Sequence, residues 1–286
     1  MMPISARRRR LLIALLIAAA TAPRLHAQVR PRVVCVGGAL TEIVYRLGAG
    51  DLLVGTDTTS LYPEAAQKTA KVGYARQLSA EGVLSLRPTV VVASAEAGPP
   101  AAIEQLRNAG VTLVRGASGH DLPTLLANVR LVAAALARRE AGEVLAAELR
   151  AQWQSVQQRV RRGGGPRVLF VLSHVANNVQ VSGYGTAAHA LIEAAGGVNA
   201  MSGFTGYRPL TAEAVIAAAP QAILTTAQGV QALGGEARLL AQPGLALTPA
   251  GRARRVFARD GLYLLGWGPR VPEAVRELAQ FLGTWI

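Results

Sequence analysis

The sequence predicts an α/β protein made of two similar lobes with mostly parallel sheets, joined by a long helix, with a ligand cleft between the lobes. Three observations carry this prediction. Short apolar runs that suit buried strands alternate with helix-like stretches. A segment near the start of the chain is repeated in its second half. A stretch rich in helix formers separates the two halves.

The strand-like runs are 33–36, 90–92, 111–114, 168–172, 222–224 and 256–258. They are apolar almost throughout rather than alternating, as expected of parallel strands covered on both faces. Helix-like stretches at 41–47, 100–109 and 187–195 lie between them. The repeat begins at Gly73-Tyr74 and again at Gly206-Tyr207. Each copy continues through a short gap to Leu, then Ser or Thr, Ala, Glu and an apolar residue (Leu78 to Glu81, Leu210 to Glu213). Each then runs through a short helix to a proline, Pro88 or Pro220, and into a strand. The tyrosines are 133 residues apart and the glutamates 132. Ser79 and Thr211 suit the N-cap of a helix, with Glu81 and Glu213 in the first turn where the helix dipole favours a carboxylate. One such match is ordinary capping; two at the same spacing indicate duplicated lobes.

Between the halves, residues 140–162 are dominated by Ala, Leu, Glu, Gln and Arg, all strong helix formers. At ~1.5 Å per residue they make a rod of roughly 30 Å, ended by Gly163-Gly164-Gly165-Pro166. Asp121 and Pro123 suit the entry of a preceding helix. A helical connector restricts two lobes to a small hinge, where a Gly-Ser linker would leave them free. The expected organisation is an export signal at 1–27, an N-terminal lobe at 28–136, a connecting helix at 137–165 and a C-terminal lobe at 166–286.

The first 27 residues have the layout of an export signal: a basic stretch at Arg7–Arg10, an uncharged apolar run at 11–20, and a small residue, Ala27, at the cleavage position. The apolar run is about half the ~20 residues needed to span a bilayer. The paired arginines leave the twin-arginine route open beside the general one.

The chain of 286 residues carries 30 Lys plus Arg against 17 Asp plus Glu, a formal charge of +13. Five of the arginines and none of the acids lie in the signal, so the remainder carries +8. Only Lys68 and Lys71 are lysines, and aromatics make up 5%. That is too few for a base-stacking surface, so a nucleic-acid function is not expected. The single cysteine, Cys35, excludes an intramolecular disulfide and a cysteine-based zinc site. No phosphate-binding loop, serine elbow or convincing acid–base pair is present, so the chain reads as a binding protein and not an enzyme.

The sequence resembles the haem-binding periplasmic receptors of bacterial ABC-type haem importers, within the helical-backbone group that also contains cobalamin and siderophore receptors. The resemblance covers about residues 30–286. It rests on Thr41-Glu42-Ile43-Val44, Leu47-Gly48-Ala49-Gly50-Asp51, Tyr62-Pro63 and Val72-Gly73-Tyr74 in the first half. In the second half it rests on Ser173-His174, Gly185-Thr186-Ala187-Ala188, Leu233-Gly234-Gly235, Pro243-Gly244 and Gly268-Pro269-Arg270. It implies two Rossmann-like lobes on a backbone helix, a monomer, and haem held in the interlobe cleft for delivery to the permease dimer. An outer-membrane haem receptor would enter only indirectly.

The resemblance also implies roles for particular residues. Tyr74 would be the axial oxygen ligand of ferric haem, a hard anionic donor once its phenol has lost a proton. Tyr207, its counterpart in the repeat, would line the facing wall. Relatives carry an arginine in the segment before Leu233-Gly234, where this chain has Gln228, an amide that can hydrogen-bond a phenolate but adds no charge. Arg76 and Arg208 could supply the missing cation or bind the haem propionates; a solvated rim position is the competing reading. His174 follows a strand at the end where α/β sheets bind ligands, so it is a candidate pocket residue. His120 reads as a helix-entry residue, and His189 as structural. Glu81 and Glu213 would dock onto permease arginines, one per lobe. The alternatives are a cobalamin or ferric-siderophore receptor, or a haem storage or interaction protein without a transporter.

Overall fold

The first strand, Val33–Val36 (β1), is completely buried and runs directly into helix Gly38–Arg46 (α1). After a single 3-10 turn the chain forms Leu53–Thr56 (β2), Glu64–Gln67 (α2), Ala70–Lys71 (β3), Ala80–Leu84 (α3) and Val90–Ala93 (β4). Pro100–Asn108 (α4), Thr112–Arg115 (β5) and Leu122–Ala135 (α5) complete the first half. Its five strands are all parallel, in the order β3-β2-β1-β4-β5. The order reverses at β1, and the crevice beyond the carboxyl ends of β1 and β4 is the place where such sheets bind ligands.

The connector is the 21-residue helix Arg139–Arg159 (α6). The second half contains Arg167–Ser173 (β6), Val179–Ser182 (β7), Ala187–Ala194 (α7), Val198–Asn199 (β8), Tyr207–Pro209 (β9) and Ala212–Ala218 (α8). Then come Ala222–Thr226 (β10), Ala227–Leu233 (α9), Glu236–Leu240 (α10), Pro249–Arg252 (α11), Val256–Arg259 (β11), Gly261–Leu265 (α12) and Val271–Leu282 (α13). The computed structural model describes residues 30–161, 163–173 and 179–286. The export-signal reading and His174 therefore lie outside the described residues. None of the helices described is long and apolar enough to cross a membrane.

The second sheet departs from an all-parallel pattern. Strands β11, β10 and β6 are parallel, but β7 pairs antiparallel with β6, and β9 pairs antiparallel with β7. The three residues of β9 all keep substantial solvent exposure, and its sequence, Tyr-Arg-Pro, lacks any apolar run. It is a strand only because β7 offers an edge. Strands β3 and β8 are only two residues long, β2 ends in Gly-Thr, and β7 alternates as Val-Gln-Val-Ser, so none is a continuous apolar strand.

The repeat is real at the level of hydrogen bonds. Ser79 Oγ accepts from the Gly82 amide at 3.2 Å to cap α3, and Thr211 Oγ1 accepts from the Ala214 amide at 3.3 Å to cap α8. Caps of this kind contribute about 1 kcal/mol each. Asp121 caps α5 through the Thr124 amide at 2.8 Å.

Residues 31–286 form one compact unit. One apolar core runs through both halves: Ile43 and Val44 of α1, Val129 and Val132 of α5, Leu145 and Leu149 of α6, Phe170 of β6, and Val275 and Leu278 of α13 belong to a single buried cluster. Two smaller clusters fill the outer face of each sheet. The connector is therefore packed into the body along one face, and this packing limits how far the lobes can move.

Candidate interlobe binding site

A cleft of about 720 Å³ opens between the two sheets, within the range of small-molecule and cofactor pockets. One wall comes from the ends of the N-terminal strands: Gly37 to Leu40 after β1, Ser94 and Glu96 after β4, and Gly116 to His120 after β5. The other comes from Leu172, Gln180, the turn before α7, and residues 262–267. Tyr74 and Tyr207 enter from opposite lobes.

The Gly-Tyr dipeptides explain how both tyrosines arrive there. Gly73 has φ of +96° and Gly206 has φ of +81°, a left-handed conformation that glycine adopts without steric cost. Each glycine turns the chain so that the following ring points into the cleft. The loops are anchored behind them: the Thr58 amide donates to Gly73 O at 2.9 Å, and the Gly183 amide to Gly206 O at 2.8 Å. Beyond Tyr74 a 3-10 turn, Ala75–Gln77, is held by the Gly98 amide donating to Ala75 O. This turn brings Arg76 to the cleft.

The two tyrosines are not equivalent. Tyr207 packs edge-on against the fully buried Phe170, with ring centroids 6.5 Å apart. Burial pushes its phenol above the ordinary tyrosine range, and the nearby Arg76 pulls in the opposite direction. By exposed surface the two are alike, Tyr74 at 43% and Tyr207 at 37%, so the difference lies in the ring contact behind Tyr207.

Among the described residues lining the cleft, Arg76 is the one arginine or lysine and Glu96 the one carboxylate. Of the two arginines offered by the sequence as cleft cations, Arg76 alone lines it. Glu96 accepts a hydrogen bond from Ser118 Oγ at 2.9 Å. Arg115, directly behind it, is used by the backbone: its Nη2 donates to the carbonyls of Ala95 and Ala97.

Two residues singled out in the sequence are placed elsewhere. Arg208 lies next to Tyr207 on β9, and neighbouring residues of a strand face opposite sides. Its guanidinium sits 4.7 Å over the Phe204 ring and lines a separate cavity of about 560 Å³ on the outside of the second sheet. Gln228, at the start of α9, donates to Asp260 Oδ2 at 2.6 Å and accepts from the Gly261 amide at 2.9 Å. Both of its functional groups are thus engaged in holding the loop before α12. Glu81 and Glu213 are exposed in the first turns of α3 and α8.

The sequence reading missed His120 as a cleft residue. It precedes the α5 cap as expected, but it also lines the cleft, edge-on to Trp267 with centroids 6.1 Å apart. The signal was the pair of glycines, Gly116 and Gly119, in a loop at the carboxyl end of a strand. Desolvation lowers the His120 pKa below its usual 6.5, more strongly than Glu96 and Asp121 raise it. The imidazole is therefore neutral at pH 7. As pH falls, the unfolded chain takes up this proton first. The contribution to stability is complete above pH 6.5 and is lost as pH drops through the depressed folded value. Proton NMR of the imidazole Cε1–H should give a midpoint below 6.5, and a midpoint above it would contradict the desolvated setting.

Asp57 organises the cleft floor from beneath. It is fully buried, and its carboxylate accepts from the Gly37 and Thr59 amides and from the hydroxyls of Thr59 and Ser60. These bonds fix the turn between β1 and α1 that forms one edge of the cleft.

The family model for periplasmic binding proteins matches residues 33–261. Among curated proteins, the chain is 28% identical to an uncharacterised ABC transporter substrate-binding lipoprotein, YvrC, of Bacillus subtilis, over 84% of this chain and 76% of that protein. It is 25% identical to a vitamin B12-binding protein of Vibrio cholerae, over 73% of this chain and 75% of the relative. Among solved structures, the periplasmic heme-binding protein BhuT in complex with two hemes is 50% identical, with a TM-score of 0.84 over 88% of this chain and 97% of that one. The apo form of the periplasmic heme-binding protein RhuT from Roseiflexus sp. RS-1 is 42% identical, with a TM-score of 0.86 over the same shares. These are substrate-binding transport proteins, not enzymes, and they act outside the cytoplasm. With its two-lobed fold and interlobe cleft, the chain belongs to the periplasmic binding protein family, as a substrate-binding component of an ABC transporter.

Proposed function

We propose that this protein binds ferric haem in the interlobe cleft and hands it to the permease dimer of an ABC importer in the periplasm, after removal of the 27-residue signal. The observation that carries this reading is the meeting of Tyr74, Tyr207 and Arg76 from two lobes in one cleft of about 720 Å³. A phenolate suits ferric iron as a hard anionic ligand. Tyr74 is the better candidate, because it stands on the Gly73 turn with no ring packed against it among the described residues, whereas Tyr207 lies against Phe170 and burial opposes ionisation of its phenol. Arg76 supplies the cation for a propionate or for a phenolate beside it. Leu40, Leu172, Leu262 and Leu265 offer apolar contacts for the macrocycle.

The near balance of charge in the cleft and the vitamin B12-binding relatives favour a second reading, a receptor for cobalamin. A titration of the purified protein with ferric haem, followed by absorption, separates the two. Haem binding predicts a saturable spectrum with a phenolate-to-iron charge-transfer band that excess cobalamin does not displace. Displacement by cobalamin with no such band would establish the second reading.

Docking to the permease would use Glu81 and Glu213, one exposed carboxylate on each lobe at the start of a capped helix. The paired substitution Glu81→Arg and Glu213→Arg is expected to abolish co-purification with the permease while leaving haem binding within about twofold, since rim charges act on association more than on a remote site. Undiminished co-purification would remove these residues from the interface.

A further inference from the structure

Two sequence motifs without an assigned role, Thr41-Glu42 and Gly268-Pro269-Arg270, meet in the structure. Arg270 donates from Nε to Glu42 Oε2 at 2.9 Å and from Nη2 to Glu42 Oε1 at 2.6 Å, across 228 residues of sequence. Glu42 lies on α1 in the first lobe, with its side chain 4% exposed; Arg270 immediately precedes α13 in the second. The guanidinium carbon lies over rings from both lobes, 3.8 Å from the Tyr62 centroid and 5.2 Å from that of Tyr263. A planar bidentate pair stacked on aromatic rings is directional: it sets the relative orientation of its partners more strictly than apolar contact does.

The surrounding backbone is shaped for this contact. A Cβ on Gly268 would lie 3.3 Å from Ala39 Cα and 3.7 Å from Glu42 Cδ. A Cβ on Gly38 would come within 2.6 Å of the Leu262 side chain. The residues flanking the pair on each side, Gly38 to Leu40 and Leu265 to Trp267, line the cleft.

We propose that the Glu42–Arg270 pair is an interlobe latch, a positioning device that sets the width of the cleft and so governs how long cargo is retained. It builds on the reading of the cleft as the cargo site, but the lobe geometry can be measured without cargo, so the two ideas fail separately.

The test uses the full chain with spin labels at Gln105→Cys on α4 and Gln231→Cys on α9, both exposed; Cys35 is completely buried and stays unlabelled. The unsubstituted latch should give one narrow interlobe distance without ligand. Glu42→Gln, and Arg270→Lys, which keeps the charge but loses the fork, should broaden and lengthen that distribution while circular dichroism stays unchanged. Haem release should then quicken about 10-fold, within the usual range of coupling between a conformational element and a site. A broad distribution with the latch intact, or an unchanged narrow one in the folded variants, would overturn the proposal. Because the first of these outcomes needs no substitution in the latch pair itself, poor folding of a latch variant leaves the idea open to refutation.

Discussion

Replacement of Tyr74 by alanine is expected to remove the charge-transfer band of the haem complex and to weaken haem binding at least about a hundredfold, or ~2.7 kcal/mol. The reason lies in the asymmetry of the two tyrosines. Tyr74 stands open to the cleft on a loop fixed by the Gly73 turn. Tyr207 is held against Phe170, and its burial opposes loss of the phenolic proton even with Arg76 nearby. Tyr207→Phe should therefore keep the band and cost much less affinity. The reverse result, with the band surviving Tyr74→Ala and vanishing in Tyr207→Phe, would move the iron ligand to the second lobe. An Arg76→Ala variant should fall between them, losing a charge-assisted contact without losing the ligand.

The largest effect on stability is expected from Arg270→Met. This change leaves the Glu42 carboxylate in a site where its side chain is 4% exposed, with no counter-charge in bonding contact. Removing one partner of a buried pair costs about 3–5 kcal/mol, which urea denaturation at pH 7 would register directly. The double variant Glu42→Gln with Arg270→Met should recover much of that loss, because the uncompensated charge is gone.

The pH dependence carries a definite sign. Burial already pushes the Glu42 carboxyl above its usual 4.5, and Arg270 pulls it back only in part, with Asp260 adding to the rise. A carboxyl whose folded pKa lies above its unfolded value binds the proton more readily when folded. Its favourable contribution is present below 4.5 and disappears as pH rises through the folded value. Without Arg270 the folded value rises further, so the variant's deficit should be greatest at neutral pH and shrink in acid. A deficit independent of pH would show that lost packing, not the stranded carboxylate, causes the instability.

How much of this could be read from the chain depends on the residue. The strand at 33–36 coincides with β1, and the helix expected from 140 is α6, Arg139–Arg159. Ser79, Thr211 and Asp121 cap the helices they were expected to cap. Tyr74, Tyr207 and Arg76 were singled out and share one cleft. The antiparallel β7 and β9 were not legible, because a three-residue exposed strand has no periodicity of its own. Arg208 and Gln228 were candidates that the fold directs elsewhere, and His120 was given only a structural place.

The sequence by itself determined the two-lobed α/β plan, the duplicated caps and the helical connector. These depend on residues within a few positions of one another: apolar runs, capping oxygens, and helix formers bounded by glycine and proline. Only the tertiary structure decided which side chains share the cleft, that β9 turns Tyr207 inward and Arg208 outward, that Asp260 occupies Gln228, and that Glu42 finds Arg270. Each of these turns on the direction of a side chain or on a pairing between distant segments, and such contacts exist only once the two lobes have packed on a common core.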